Sequence, residues 1–163
     1  MRRSEAFVRA ATENDYAAIQ KVNLGAFGYD FSKEKTAERL SEILRKPNDK
    51  VFVVDFGGIT VGYIHGSDYD CTYSPPLKNI LALGVLPEFQ GQGLGRMLVD
   101  ALEQWARDDG CAGVRLVSGF NRADAHKFYL SLGYTDRKDQ KNFIKMFVGR
   151  GFPDAPLFDG TAL

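Results

Sequence analysis

The chain has 163 residues, a length that fits one domain with a sizeable core. Its 21 basic residues balance 21 acidic ones, which argues against nucleic acid or an anionic membrane as the main partner. No apolar run approaches the roughly 20 residues that span a bilayer, and the first residues lack the apolar stretch of a signal peptide. Only two cysteines are present, Cys71 and Cys111, without metal-like spacing. We therefore expect a cytoplasmic protein with no bound metal.

The first half of the chain alternates strand and helix signals. A short strand is predicted over 6–10, and Thr12 then caps a helix that should run to about Leu24. Two glycines and three aromatic residues over 25–31 interrupt the helical pattern. Ser32 caps a second helix through Lys46. Strands are predicted over 51–56 and 59–65, and Gly57-Gly58 is a hairpin signal between them.

The second half continues with a polar loop over 66–76 and a strand over 78–85. A glycine-rich turn leads into a helix from Leu94 to Gly110, followed by a strand over 114–117 and a helix over 121–132 that Gly133 ends. Two last strands are predicted over 134–135 and 142–148. The pattern predicts an α/β (α+β) fold: a mixed, mostly antiparallel sheet of about six to seven strands flanked by four helices. We expect one domain over 1–150 and a C-terminal tail over 151–163, whose apolar residues suggest a homodimer contact.

The glycine-rich turn between the 78–85 strand and the next helix predicts an anion site. The first turn of a helix carries unpaired N–H groups and partial positive charge, and glycines let an anion approach them. The dinucleotide fingerprint G-x-G-x-x-G fails here because Arg96 stands where its third glycine should be, and no P-loop string occurs. What does occur is Q-x-x-G-x-G on Gln90, Gly93 and Gly95. The alternative is a glycine turn without a ligand.

That motif resembles the pyrophosphate-binding segment of the GNAT superfamily of N-acetyltransferases, which use acetyl-coenzyme A (acetyl-CoA). The predicted element order is also similar to the GNAT fold over most of the chain. The resemblance implies that the strand before the turn offers backbone groups to the pantetheine arm, and that the turn binds the diphosphate through main-chain N–H groups. The implied cofactor-binding residues in this region are Leu83, Gly84, Val85, Gln90, Gly91, Gln92, Gly93, Leu94, Gly95 and Arg96.

A second segment, residues 118–134, resembles another part of the same family. By this resemblance, Asn121 caps the fourth helix and bonds the pantetheine region, Phe128 packs along the cofactor and Ala125 belongs to the same site. The resemblance also implies that Tyr129 points its hydroxyl at the coenzyme A sulfur. From helical spacing alone, Tyr129 is better read as a core residue on an apolar face.

The implied function is transfer of the acetyl group of acetyl-CoA to a primary amine of a small molecule, peptide or protein, by direct attack in a ternary complex. The Tyr129 phenol would protonate the leaving thiolate, and the N–H of Val85 is a candidate donor to the carbonyl oxygen. The alternative is a non-catalytic acyl-CoA sensor of the same fold. Relatives often carry an acid on the strand before the turn, and this strand has none.

Other residues are open as substitutes for the missing acid or as parts of the acceptor wall. The candidate bases are His65, Asp68, Asp70 and Glu88, each of which also has an ordinary structural reading. Asp68 and Asp70, beside two tyrosines, would attract a cationic amine. The aromatic connection over 25–31 matches the place where the family builds part of its acceptor wall.

Overall fold

The computed structural model describes residues 5–147, which divide between two compact units at Val117 and Ser118. Most elements lie in the first unit. In chain order they are β1 (Ala6–Ala10), a 3-10 turn (Glu13–Asp15), α1 (Tyr16–Phe27), α2 (Lys33–Arg45), β2 (Asp49–Phe56), β3 (Ile59–Tyr69), β4 (Leu77–Val85), a second 3-10 turn (Pro87–Phe89), α3 (Leu94–Asp108) and β5 (Gly113–Leu116). The described part of the second unit contains α4 (Ala123–Ser131).

The sheet of the first unit has the strand order β1-β2-β3-β4-β5. The first three pairings are antiparallel and the pairing of β4 with β5 is parallel. The predicted mixed, mostly antiparallel sheet and the four helices are therefore confirmed within residues 5–147. Gly57 and Gly58, both with positive φ, form the predicted β2–β3 hairpin turn.

Helices cover both faces of this sheet. On one face, α1 packs on β3 and β4, and α2 packs on β2. On the other face, α3 lies across all five strands and buries its apolar stripe, which comprises Leu94, Leu98, Val99, Leu102, Trp105 and Ala106. Two glycines show how tightly each helix sits: a Cβ on Gly84 would lie 2.8 Å from Phe27 of α1, and one on Gly66 would lie 2.5 Å from Leu102 of α3. These two positions admit no side chain because a helix occupies the space.

The sheet has five strands in the described residues, fewer than the six to seven predicted. No strand forms at 134–135 or over 142–147, and Val148 and the predicted tail lie outside the described residues. Phe143 and Phe147 are 86% and 71% exposed. A run of β-forming residues becomes a strand only when a partner edge pairs with it, and composition does not show whether such an edge is available.

Two predicted boundaries also differ from the structure. Helix α1 continues through Gly25 to Phe27 and ends at Gly28, which adopts φ of 75°. Gly25 serves close packing rather than a break, because a Cβ there would lie 3.3 Å from Leu86. Strand β3 runs to Tyr69, four residues beyond the prediction, because the polar residues after His65 still pair with the start of β4.

Candidate active site

The end of strand β4 has an open edge. Its parallel pairing with β5 begins at Leu77 and stops at Ile80, which pairs with Leu116. Strand β4 then continues for five more residues, 81–85, with β3 on one side and no strand of the first unit on the other. Backbone groups on that side are left for another partner, as at any sheet edge.

The residues that point to the open edge follow from one hydrogen bond. The N–H of Leu86 donates to the carbonyl of Val61 in the β3 segment at 2.8 Å. Backbone groups alternate in direction along an antiparallel strand. The N–H and C=O of Gly84 therefore point to β3, while those of Leu83 and Val85 point to the open edge. The backbone groups of Leu83 and Val85 thus lie at the open edge, whereas Gly84 packs against Phe27 of α1.

A β-bulge lies where the β5 pairing ends. His65 pairs with Ala82 and Gly66 pairs with Ile80, so Leu81 has no partner residue in β3. The Leu81 side chain is 54% exposed. Bulges bend a strand and increase its twist, which is how β4 leaves β5 here.

The glycine turn after β4 exposes the start of α3. Gly91 and Gly93 have φ of 78° and 82°, and Gly93 is the N-cap residue without a side-chain cap. The N–H of Met97 is the first to bond within the helix, to the Gly93 carbonyl at 3.2 Å. The N–H groups of Leu94, Gly95 and Arg96 therefore precede the first intrahelical bond. Such donors, at the positive end of the helix dipole, form an anion site.

Gln90 has a different task from the anion contact expected of its N–H. That N–H already bonds to the Pro87 carbonyl at 3.3 Å. The side-chain amide donates to the Val85 carbonyl at 2.9 Å. Gln90 thus ties the turn to the end of β4, whereas Gln92 and Arg96 extend exposed side chains from it.

In the second unit, helix α4 begins later than expected. Arg122, not Asn121, is the N-cap residue, and it has no side-chain cap. A turn precedes the helix, since the N–H of Arg122 donates to the Gly119 carbonyl at 3.0 Å and His126 Nε2 lies 2.9 Å from the same oxygen. The prediction that Asn121 caps α4 is wrong, because this turn closes one residue further along the chain.

Tyr129 lies in an aromatic cluster of the second unit. Its ring centroid is 5.2 Å from that of Phe128 and 5.7 Å from that of Tyr134, both in edge-on geometry. Burial raises the pKa of the Tyr129 phenol above its ordinary value, and the positive charge of Arg122 opposes part of this rise. A raised pKa keeps the hydroxyl protonated near neutral pH, so the group is a proton donor. Ala125 is half-buried on the same helix.

The candidate bases have very different surroundings. His65 Nε2 lies 2.8 Å from Asp49 Oδ2, and both side chains are largely buried. Asp68 pairs with the buried Lys78, which also contacts Asp109 at 2.6 Å. Glu88 is exposed in the second 3-10 turn.

The Asp68 and Lys78 pair belongs to a cleft of about 200 Å³ at the start of β4. Its lining comprises Asp68, Asp70, Pro76, Leu77, Lys78, Asp109 and Cys111. This end of β4 is about 26 Å from Val85 along an extended strand. Asp68 therefore pairs with a buried ammonium at the start of β4, and its role in attracting the amine stays a prediction.

Sequence reasoning missed Tyr63 of β3 and Asn23 of α1, which contact each other where the helix packs on the sheet. The Tyr63 hydroxyl donates to Asn23 Oδ1 at 2.5 Å, and burial, with the nearby Tyr29, raises the Tyr63 pKa. Phe27 and Tyr29 add an aromatic pair with centroids 5.6 Å apart. The alternation of Tyr63 and His65 along β3 was the available signal, since same-face residues of a strand recur every second position.

Residues 5–147 contain neither a candidate metal site nor a helix that could span a membrane. Among residues 5–147, no group of three or more His, Cys, Asp or Glu side chains is placed to hold a metal ion. Over the same part of the chain, no helix has the length and apolar character needed to cross a membrane.

Comparison with known proteins gives a consistent class. Residues 16–134 match the family described as Acetyltransferase (GNAT) family. An aminoglycoside N(6')-acetyltransferase type 1 from Stenotrophomonas maltophilia is 30% identical over 134 residues, covering 79% of this chain and 86% of that protein. An aminoalkylphosphonate N-acetyltransferase from Salmonella typhimurium is 29% identical, covering 76% of this chain and 78% of that protein.

Solved structures agree with this class. An aminoglycoside acetyltransferase from an uncultured soil metagenomic sample, in complex with trehalose, has a TM-score of 0.78 at 25% identity and covers 89% of this chain and 98% of its own. An aminoglycoside N-acetyltransferase in complex with CoA has a TM-score of 0.77 at 17% identity, covering 86% and 94%, which shows a shared fold.

The mixed sheet, the open β4 edge and the glycine turn define an acyltransferase fold of this type. The chain belongs to the acetyltransferase (GNAT) family. It is accordingly an N-acetyltransferase by class, and the predicted enzyme class is confirmed.

Proposed function

We propose that this chain transfers the acetyl group of acetyl-CoA to a primary amine of a small molecule or peptide, by direct attack within a ternary complex. The observation that carries the proposal is the continuity of two features in the first unit. The open edge of β4 over 81–85 leads, through one glycine turn, to the uncapped start of α3. The first suits an amide-containing arm, and the second suits a diphosphate.

In this proposal the cosubstrate is held mainly by backbone groups. The diphosphate accepts hydrogen bonds from N–H groups between Gly91 and Arg96, where positive φ at Gly91 and Gly93 shapes the turn. Charge-assisted bonds of this kind contribute roughly 1.5–3 kcal/mol each. The pantetheine arm pairs with Leu83 and with the N–H of Val85, as an added strand pairs with a sheet edge.

The family resemblance also assigns roles to four residues of the second unit. Asn121 bonds the pantetheine region, Phe128 packs along the arm and Ala125 leaves room beside it. Tyr129 donates its proton to the leaving thiolate, for which a protonated phenol is required. A backbone N–H of the open edge that does not pair with the arm stabilises the negative charge that develops on the carbonyl oxygen. Holding both substrates side by side supplies a large part of the rate.

The acceptor is a primary amine in the proteins that this chain resembles. Their names specify aminoglycosides and aminoalkylphosphonates, and the feature common to both classes is an alkylamine. An alkylamine is an ammonium ion at neutral pH, so the acceptor has to lose a proton before it attacks.

Calorimetry and a thiol-release assay test the proposal together. We expect coenzyme A to bind and pantetheine, which lacks the diphosphate, to bind at least about 10-fold more weakly, a difference of about 1.4 kcal/mol. With acetyl-CoA and a panel of primary amines, the protein should release free thiol. Binding without thiol release from any amine would favour the acyl-CoA sensor, and absence of binding would overturn both functions.

A further inference from the structure

We propose that His65, held by Asp49, accepts the proton that the amine loses when it attacks the thioester. This inference rests on the proposed function and names a residue of the same site. Strand β4 contains no carboxylate over 77–85, so a base has to come from another element. The cross-strand partner of Ala82 is His65.

The position of His65 follows from the register of β3 and β4. His65 pairs with Ala82, which places their Cα atoms about 5.5 Å apart. Ala82 is the first residue after the bulge at Leu81, and it lies in the part of β4 that has an open edge. Because paired residues project to the same face, His65 and Ala82 share the face on which α1 packs, and the His65 ring extends to Asp49 of β2.

An acceptor cannot lie on the sheet face opposite to that of His65. On the opposite face, α3 packs its buried Leu98, Leu102 and Trp105 side chains directly on the sheet. A Cβ on Gly66 would lie only 2.5 Å from Leu102, so no ligand fits there. In this proposal, an amine that attacks a thioester at the open edge approaches it from the face that carries Ala82 and His65.

The contact with Asp49 prepares the ring as a base. The Nε2 atom lies 2.8 Å from Asp49 Oδ2, and in the neutral ring this nitrogen donates the hydrogen bond. The lone pair is then on Nδ1, the nitrogen that accepts a proton. Asp49 fixes the tautomer and stabilises the imidazolium that forms, as a carboxylate does for a catalytic histidine in other folds.

The titratable groups that face the ring are few. From β2 the ring meets Asp49, and its cross-strand neighbour on that side is Val51. From β4 it meets Ala82, which carries no charge. Along β3, the same-face neighbours are Ser67, the cross-strand partner of Asp49, and Tyr63, which is buried and bonded to Asn23. Asp49 is thus the charged group in direct contact with the ring within the described residues of the first unit.

The proton balance of the step is simple. The acceptor nitrogen begins as an ammonium with three protons. One proton passes to His65 Nδ1 and leaves the lone pair that forms the C–N bond. When the C–S bond breaks, its electron pair stays on sulfur, which takes the proton of the Tyr129 phenol, and the second nitrogen proton restores that phenol. The third proton remains on the product amide, and His65 later releases its proton to solvent.

The pH dependence of thiol release tests the role of His65. The wild type should show a limb over which kcat/KM rises with pH, below the amine's own range. His65→Gln should lose this limb, fall about 100-fold at pH 7 and recover as the pH approaches the amine's own range. Asp49→Asn should fall less, and coenzyme A affinity should stay unchanged in both variants. His126→Gln, which changes the other histidine of the chain, should keep the limb.

Two outcomes would overturn the proposal. A His65→Gln enzyme that keeps the wild-type limb, or whose activity falls equally at every pH, would give His65 a structural role only. Independently of activity, nitrogen-15 NMR of the wild-type ring should find the proton on Nε2, and the opposite tautomer would contradict the mechanism. Failure of the acetyltransferase function itself would appear as a wild type that releases no thiol from any amine.

Discussion

Asp15 is a carboxylate held by several donors at the start of α1. Arg9 donates two hydrogen bonds to it at 2.8 and 2.9 Å, and the N–H of Thr12 donates a third at 2.7 Å. Burial alone would raise the pKa of Asp15, but these bonds outweigh it and hold the pKa below its ordinary value of 3.8. Arg9 also bonds Asp55 of β2, so this cluster joins the first strand, the second strand and the helix start.

Replacing Asp15 should therefore weaken the fold at neutral pH. Since the pKa is lower in the folded chain than in the unfolded one, the charged form stabilises the fold above about pH 3.8, and this contribution is lost as the pH falls through the folded value. Asp15→Asn should lower the free energy of unfolding by roughly 1.5–3 kcal/mol at pH 7. Urea unfolding should show that the difference in free energy of unfolding between the wild type and this variant shrinks as the pH falls from 7 to 2.5.

The matched control is Asp30→Asn, because Asp30 is exposed. Its free energy of unfolding should stay near that of the wild type across the same range. If the free energies of unfolding of the wild type and Asp15→Asn differ by the same amount at every pH, the shape of this carboxylate and not its charge stabilises the fold.

Tyr129 carries the proposed proton donation to sulfur. Tyr129→Phe keeps the ring in its cluster with Phe128 and Tyr134 and removes only the hydroxyl. We expect kcat for thiol release to fall about 100-fold, with coenzyme A affinity unchanged by calorimetry. Phe128→Leu serves as a comparison that alters packing, and it should weaken binding instead. An undiminished kcat in Tyr129→Phe would remove the phenol from the mechanism.

At the scale of elements, the junction of β4 and α3 forms the proposed diphosphate site. Gly95 lies in the first turn of α3 and is half-buried. A carboxylate in this turn is compatible with the helix dipole, but it competes with the diphosphate for the same N–H groups. Gly95→Glu should weaken coenzyme A binding at least about 10-fold relative to Gly95→Gln, which corresponds to about 1.4 kcal/mol.

The pair of Gly95 variants separates charge from size. Glutamate and glutamine have nearly equal volume, so a difference between them reports the charge alone. Calorimetry at two salt concentrations should show the difference shrinking as salt rises, because salt screens exposed charges. Equal affinities of the two variants for coenzyme A would contradict a diphosphate at this helix start.

The sequence predicted the elements whose signals are local. Ser32 caps α2 through a hydrogen bond from the N–H of Lys35, as expected, and the Gly57-Gly58 turn and the glycine turn lie where their residues indicate. What it could not predict depends on contacts between distant residues. Gly25 continues a helix because it packs on Leu86, and β3 continues to Tyr69 because β4 pairs with it.

The site shows the same division. The glycine turn, to which we assign anion binding, is local, and it was predicted from Gln90, Gly93 and Gly95. The open edge beside Leu83 and Val85 was expected only through the family resemblance, because it depends on where β5 stops pairing. The contact of His65 with Asp49 joins residues 16 apart in sequence, and no spacing rule indicates it.

At the scale of the whole molecule, cosubstrate binding should raise thermal stability. A ligand that binds only the folded state stabilises it by about 2.7 kcal/mol at 100 times its Kd. For a chain of this size, each kcal/mol corresponds to roughly 2–4 °C in Tm, so coenzyme A should raise Tm by about 5–11 °C. Differential scanning fluorimetry checks this, with pantetheine at the same concentration as the control.

The thermal experiment also bears on the domain prediction. One domain over 1–150 predicts a single cooperative transition that moves as a whole with coenzyme A. Two transitions, of which only one moves, would contradict it. The cytoplasmic location and the homodimer contact stay predictions, and light scattering of the full chain measures the latter.

The uncapped start of α3 has a consequence for genetics. If peptide amides rather than side chains grip the cosubstrate, most codons in this turn can drift without loss of activity. A saturation scan of the gene should then find intolerance concentrated at the glycines with positive φ, Gly91 and Gly93, while exposed neighbours such as Gln92 accept many replacements. Related proteins should therefore share the backbone conformation of this turn more closely than the identity of its residues.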